Sequence, residues 1–297
     1  MARIGVVANP SSGGGRGAAG SAVALGVLRA SAHEIIDLSG QSFALARANA
    51  ERAVADGSID CLVVIGGDGM MHLGVNVTAE TGLPLGIIAA GTGNDSARTL
   101  GMPVGDPAAG ASAILESLDS TRMVDAIRAE AATGDFWTFG SVSAGFDSIV
   151  NARANGWRWP RGASKYQLAM VRELPVFKPI QFRATIDGKV REIEAMLCSV
   201  ANGPAYGGGM LIAPEASVDD GFADLFIVHK ISRLELIKVF PKVYTGEHVS
   251  HPAVEIVRAK VVSLEADVPT SADGELTGRA PVTATLVPGA LTVISRV

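Results

Sequence analysis

The stretch that most constrains this chain runs from Cys61 to Gly69. Five apolar residues, Cys61, Leu62, Val63, Val64 and Ile65, lead straight into Gly66, Gly67, Asp68 and Gly69. A short, unbroken, β-branched run predicts a strand buried on both faces, as in a parallel sheet. The glycines allow a sharp turn and let backbone N–H groups approach a ligand that any Cβ would block. The turn falls at the carboxyl end of a strand, where open α/β sheets bind ligands. A single Asp there can meet a phosphate-bound metal or a reacting hydroxyl. A solvated Asp in a tight strand-to-helix turn would read the same, and the motif alone does not separate the two.

The residues around it alternate strand and helix. Strands are expected over 4–8, 34–38, 61–65 and 83–90, and helices over 18–30, 44–55, 70–77, 96–100 and 107–118. That alternation defines an α/β domain with a parallel sheet. After the first strand come Asn9, Pro10, Ser11, Ser12 and Gly13, then Gly14, Gly15, Arg16 and Gly17. A glycine-rich loop that opens a helix is an anion site, and Arg16 could add a bidentate contact; a flexible surface loop has the same composition. Gly13 to Ala18 also satisfy the dinucleotide fingerprint, and Asp37 sits where its ribose-binding acid would. Against that reading, Asn9 to Ser12 separate the strand from the first glycine, and Asp68 is left without a role. The strand over 83–90 ends in Gly91, Thr92, Gly93, Asn94 and Asp95. Thr92 and the glycines are placed to face phosphate, while Asn94 or Asp95 reads as a helix N-cap.

Beyond residue 125 strands dominate. A hairpin is expected about Asp187 and Gly188, another about Pro288 and Gly289, and helices over 164–174 and 233–240. The sequence therefore divides into an α/β domain over 1–125 and a β-rich domain over 126–297. With 297 residues, 48% hydrophobic and 19% charged, both halves can build cores. The formal net charge of -5 gives no overall basic balance, so no nucleic-acid partner is expected. Cys61 and Cys198 both lie in apolar strand-like runs and read as buried free thiols of a reducing compartment. The N-terminus lacks a signal-peptide pattern, and no apolar run reaches the roughly 18 residues that span a bilayer. A soluble, cytoplasmic protein is the expectation.

Two further acidic features and one basic segment stand out. Ser217, Val218, Asp219, Asp220, Gly221 and Phe222 form either a cation-binding turn or a plain type I turn. Asp273, Gly274 and Glu275 form either a hairpin turn or a rigid mount for a general base. Residues 151–191 hold nine Lys and Arg against two acids, with Trp157 and Trp159 among them. That mixture suits the headgroup region of an anionic membrane, and also a solvated basic face.

Taken in order, Asn9 to Gly13, Gly66 to Gly69, Gly91 to Asp95, Asp219 to Phe222 and Asp273 to Glu275 carry a resemblance. Their sequence and spacing resemble the soluble diacylglycerol kinase and sphingosine kinase family of lipid kinases, over nearly the whole chain. The resemblance implies an N-terminal three-layer α/β nucleotide domain like that of NAD kinases and 6-phosphofructokinases. It implies a C-terminal β-sandwich-like lipid-substrate domain and an active site in the cleft between them. By the same resemblance Asn9, Pro10, Ser11, Ser12, Gly13, Gly66, Gly67, Asp68, Gly69 and Thr92 would bind ATP. Asp68 would reach the metal and phosphate region, and Asp220 with the backbone oxygens of Ser217 and Phe222 would hold Mg2+. Glu275 would be the base. The family usually continues GGDG with Thr and Asn-Glu and has Phe after Asn94-Asp95; here Met70, Met71, His72 and Ser96 stand instead. These departures bear on substrate preference more than on phosphoryl transfer. The implied activity is transfer of the ATP γ-phosphoryl group to a lipid hydroxyl, with diacylglycerol giving phosphatidic acid. The lipid partner would lie at the inner face of the membrane, the enzyme attaching peripherally, with a homodimer allowed. The rivals are an NAD kinase-like enzyme and a non-catalytic nucleotide or lipid binder of the same fold.

Overall fold

The computed structural model describes residues 1–9, 16–157, 163–173 and 176–296, without the side chains of residues 16 and 163–167. The chain forms two compact units. One is Met1–Val124 together with Gly289–Val297, and the other is Asp125–Pro288.

The first unit is built on a parallel sheet. Its centre is β1 (Arg3–Ala8), with β2 (Glu34–Asp37) on one side and β3 (Cys61–Gly66) on the other. β4 (Leu85–Ala89) follows β3, and the end of β15 (Val282–Ile294) adds beyond it, Val293 opposite Leu85. Every residue of β3 and β4 is buried, as their continuous apolar runs require. The chain leaves β1 in one direction for β2 and builds the other way through β3 and β4. A topological switch therefore lies between β1 and β3. Register brings the carboxyl ends level: Ala8 lies opposite Ile65, and Gly66 opposite Ala89.

Helix α1 (Arg16–Arg29) packs on α5 (Pro107–Glu116), and α2 (Phe43–Ala55) packs on α3 (Asp68–Thr78). Right-handed crossovers on either side of β1 put the two pairs on opposite faces, giving three layers. Starts are well specified. Ser42 caps α2 by accepting from Leu45 N at 3.2 Å. Asp106 caps α5 through Ala108 and Ala109, with Pro107 at the first helical position. A short α4 (Asp95–Thr99) follows β4.

The second unit is antiparallel. β5 (Thr121–Ala131) enters it and pairs with β6 (Gly134–Thr138). The main order is β14 (Glu275–Arg279), β13 (Pro269–Ala272), β7 (Ser141–Gly145), β9 (Lys189–Ala201), β8 (Ile180–Ile186), β12 (Val261–Glu265) and the start of β15. β10 (Ala223–His229) pairs with the second half of β9 and with β11 (Val254–Ala259). The hairpin about Asp187 and Gly188 is as expected, and φ values of 45° and 80° give the two-residue turn its left-handed hand. One core, including Phe182, Ile193, Leu225 and Leu264, lies between strand faces. A second gathers Phe146, Phe177, Phe226 and Val243 beneath α6 (Phe146–Asn155), α7 (Ala163–Glu173) and α8 (Arg233–Val239).

The expected hairpin about Pro288 and Gly289 does not form. β15 runs unbroken through both residues, although Gly289 has φ of 62°. The division between the two compact units falls at this pair, so residues 289–297 group with the first unit. The apolar residues Leu291, Val293 and Ile294 are buried there, which is what a turn signal read in isolation misses.

Cys61 and Cys198 are free and buried, as expected. Burial pushes both thiols up to about 12. Thiolate is the reactive form, so Ellman's reagent at neutral pH is expected to label neither in the folded protein and both after unfolding. Rapid labelling of the native protein would contradict this packing. Among the described residues, no helix is long and apolar enough to cross a membrane.

Candidate active site

Three strand ends of the first unit converge on one edge. Asn9 N donates to Ile65 O at 3.1 Å, and Ala90 N donates to Gly66 O at 2.8 Å. Residues 10–13 lie outside the described residues, so of the first expected loop only Asn9 is placed. Gly67 is the N-cap of α3, with no side-chain cap, and Asp68 is the first helical residue. The helix was expected from residue 70; it starts two residues earlier because Gly67 supplies the extended cap conformation directly after the strand. An uncapped helix start leaves N–H groups and the positive dipole end for an anion.

The loops after β3 and β4 touch through their backbones. A Cβ on Gly91 would lie 2.4 Å from Gly67 Cα, and one on Gly67 would lie 3.1 Å from Gly91 Cα. Both glycines are thus required by packing as well as by any ligand. Asn94 does not cap α4 with its side chain, contrary to the simplest expectation. Its φ is 59°, and its amide closes on the loop itself: Oδ1 accepts from Gly91 N at 2.9 Å and Nδ2 donates to Gly91 O at 3.0 Å. Asp68 Oδ1 accepts from Ser96 N at 2.9 Å, tying the two loops together. Arg98 donates to Gly93 O and pairs with Asp95. Thr92 is exposed on the loop so formed.

In the second unit, Asp273 and Gly274 form the turn between β13 and β14, with φ values of 48° and 83°. The Asp273 carboxylate accepts from the backbone N–H of Gly140 at 2.9 Å, Ser141 at 3.2 Å and Phe139 at 3.3 Å. Gly140 leaves the room for it, since a Cβ there would meet Asp273 Oδ1 at 2.7 Å. Glu275 opens β14 and is exposed. Sequence reading found the turn but missed what supports it. Ser148 Oγ lies 2.8 Å from Ser271 Oγ and donates to Ser143 O at 2.9 Å, while Ser143 Oγ lies 2.7 Å from Ser199 Oγ. Asp147 is half-buried and accepts from Tyr206 OH at 2.9 Å. Burial raises its carboxyl above the usual range, and raises the Tyr206 phenol well above its own. The signal for these residues was weak: single polar residues scattered over strands and α6, in no recognisable pattern.

The third feature is the turn at 217–222. Ser217 Oγ donates to Asp219 Oδ1 at 2.5 Å, and Phe222 N to Asp220 Oδ1 at 3.0 Å. Gly221, with φ of 75°, donates to Asp125 Oδ2 at 2.8 Å. Arg258 pairs with Asp220 Oδ2 at 2.5 Å and stacks 4.4 Å from the Phe222 ring. Among the described residues, no group of three or more His, Cys, Asp or Glu is arranged to hold a metal. The oxygen donors of Ser217, Asp220 and Phe222 fit Mg2+ in chemical type. Their single expected carboxylate ligand is already neutralised by Arg258, so a cation there would compete with the guanidinium.

Comparison with known proteins also divides the chain into two domains. Residues 3–129 match the diacylglycerol kinase catalytic domain, and residues 140–295 match the YegS C-terminal NAD kinase beta sandwich-like domain. A diacylglycerol kinase of Mycobacterium tuberculosis is 37% identical over 298 residues, covering 99% of this chain and 95% of that protein. A diacylglycerol kinase of Staphylococcus aureus is 31% identical over 242 residues, 78% of this chain and 73% of its own. A crystal structure of a diacylglycerol kinase from Bacillus anthracis aligns with a TM-score of 0.76 at 26% identity, covering 99% of this chain and 97% of that one. The chain belongs to the diacylglycerol kinase family. The fold expected from the sequence, α/β followed by a β-sandwich-like domain, is the one it has.

Proposed function

We propose that this kinase transfers the γ-phosphoryl group of ATP to a lipid hydroxyl, with diacylglycerol as acceptor and phosphatidic acid as product. The observation that carries the reading is the pair of touching glycine loops after β3 and β4, next to the switch point, with Asp68 at an uncapped helix start. Phosphoryl transfer needs positioning and charge stabilisation more than covalent help. The N–H groups at the start of α3 hold the nucleotide phosphates, with the loop at Gly91 packed beside them. Asp68 stands beside them to meet the Mg2+ that accompanies ATP. Asn9 and Thr92 flank the same edge. Glu275, exposed and unpaired with any described cation, takes the proton of the acceptor hydroxyl. At the 217–222 turn, Ser217, Asp220 and Phe222 would hold a second Mg2+, which would brace the turn.

The deciding experiment is transfer from radiolabelled ATP across a panel of dispersed diacylglycerol, sphingosine, monoacylglycerol and soluble NAD. Label in phosphatidic acid alone is the expected result. Label in NAD would make it an NAD kinase-like enzyme, and nucleotide binding without any transfer would make it a non-catalytic binder.

A diacylglycerol acceptor places the reaction at a bilayer, with the protein attached peripherally. Of the basic residues in 151–191, Arg153 pairs with Glu173, Arg183 lies near Glu192 and Glu265, and Arg191 is bidentate on Glu255. Arg172 lies 6.0 Å from the Trp157 ring. Arg158, Trp159 and Arg161 lie outside the described residues. Each Lys or Arg near an anionic surface contributes about 1 kcal/mol, less in salt. Sedimentation with vesicles containing anionic lipid is expected to carry the protein down at low salt and to release it at high salt. Binding indifferent to both lipid charge and salt would return the segment to a solvated face.

A further inference from the structure

The Glu275 side chain has no hydrogen-bond or ion-pair partner among the described residues, so the backbone must aim it. We propose that Asn151 is the residue that does this: a positioning residue for the proton-accepting carboxylate, acting through the Gly274–Glu275 peptide. The inference rests on Glu275 being the base.

Asn151 lies on the inner side of α6 and is buried. Its Nδ2 donates to Gly274 O at 2.7 Å. That carbonyl and the N–H of Glu275 belong to one rigid peptide plane, so fixing the carbonyl fixes the plane from which Glu275 departs. The amide orientation is itself determined. Asn155 Nδ2, one helical turn on, donates to Asn151 Oδ1 at 3.1 Å, which leaves the Asn151 NH2 group for Gly274. The opposite side of the turn is held independently by the Asp273 carboxylate on three backbone N–H groups. Ser148, also on α6, holds β13 through Ser271. The turn is therefore clamped at β13, at Asp273 and at Gly274; Glu275 is paired with Ala272 in the β13–β14 ladder, and the Gly274 clamp is the side-chain bond that acts on the peptide carrying Glu275. A helix with Asn in this place has a further use for the contact: a buried amide left without its acceptor would be costly.

The test is a double-mutant cycle on the full-length protein with diacylglycerol and ATP. Asn151→Asp keeps the shape but turns an acceptor toward Gly274 O. It is expected to lower kcat by about 10- to 100-fold, the scale of a small misplacement of a reacting group. The KM for ATP should not change, because that half-site lies on other residues. In a Glu275→Gln background the same substitution should cost little more, since there is no base left to aim. Asn155→Ala, at an exposed position, removes only the orienting partner. It provides a milder variant if Asn151→Asp folds poorly, and should lower kcat less while leaving the thermal midpoint in place. Full additivity of the Asn151 and Glu275 losses would overturn the positioning role and leave the base assignment standing. A normal kcat in Glu275→Gln would overturn both.

Discussion

Glu275→Gln is expected to lower kcat by about 100- to 10,000-fold, the usual contribution of a general base, with ATP affinity nearly unchanged. Gln keeps the length and polarity of Glu but cannot accept the hydroxyl proton. The exposed side chain at the start of β14 makes no described contact whose loss would unfold the protein, so the effect should be on turnover. Asp68→Asn makes the informative contrast. Asp68 Oδ1 holds Ser96 N at 2.9 Å, and the Asn oxygen can still do so. What Asn lacks is the negative charge toward Mg·ATP. Its loss should therefore appear as weaker nucleotide binding that depends on Mg2+ concentration, together with reduced kcat. Steady-state kinetics with ATP and Mg2+ varied separately distinguish the two. If Glu275→Gln turns over normally while Asp68→Asn is inactive at saturating Mg·ATP, the two carboxylates have exchanged roles.

What the sequence disclosed follows from the range of the interactions involved. The parallel sheet was legible because its buried strands are local apolar runs, one of them ended by glycine at Cys61 to Gly69. The turn carrying Glu275 was legible because Asp-Gly states its own conformation. Continuity of β15 was not, because Pro288 and Gly289 carry a local turn signal that only burial of the following residues in the first unit overrides. Asn94 looked like a cap because its neighbours begin a helix; its αL conformation and its bonds to Gly91 come from the need to close a loop against Gly67. The support of the Glu275 turn was hidden altogether. Asn151 and Gly274 are 123 positions apart, as are Ser148 and Ser271, and neither pair sits in a pattern that periodicity or composition can show.

Gly91→Ala is expected to damage both stability and nucleotide binding, out of proportion to the one carbon it adds. The new Cβ would lie 2.4 Å from Gly67 Cα, 2.8 Å from Gly67 N and 2.9 Å from Asn94 Oδ1. Two of these are backbone atoms and cannot swing aside. The loops cannot separate freely either, because Ala90 N is bonded to Gly66 O and Gly66 lies opposite Ala89 in the β3–β4 ladder. Gly91 is also held at both its N–H and its carbonyl by Asn94. Overpacking of this kind costs about 1–3 kcal/mol, which for a chain of this size is a fall of several degrees in thermal midpoint. Part of the strain must be relieved by spreading the two loops, and N–H groups that cradle phosphates tolerate little spreading. ATP affinity should fall by roughly 10-fold or more, about 1.4 kcal/mol or beyond. Gly26→Ala supplies the opposite case. Gly26 lies in the last turn of α1 with nothing within 4 Å of an added Cβ. There the substitution should stabilise by about 0.5–1 kcal/mol through helix propensity alone and leave ATP binding untouched. Calorimetry of unfolding and of ATP binding on both variants reads the difference. A Gly91→Ala protein that melts like the parent and binds ATP as tightly would mean that the close approach of the two loops is not what shapes the phosphate site.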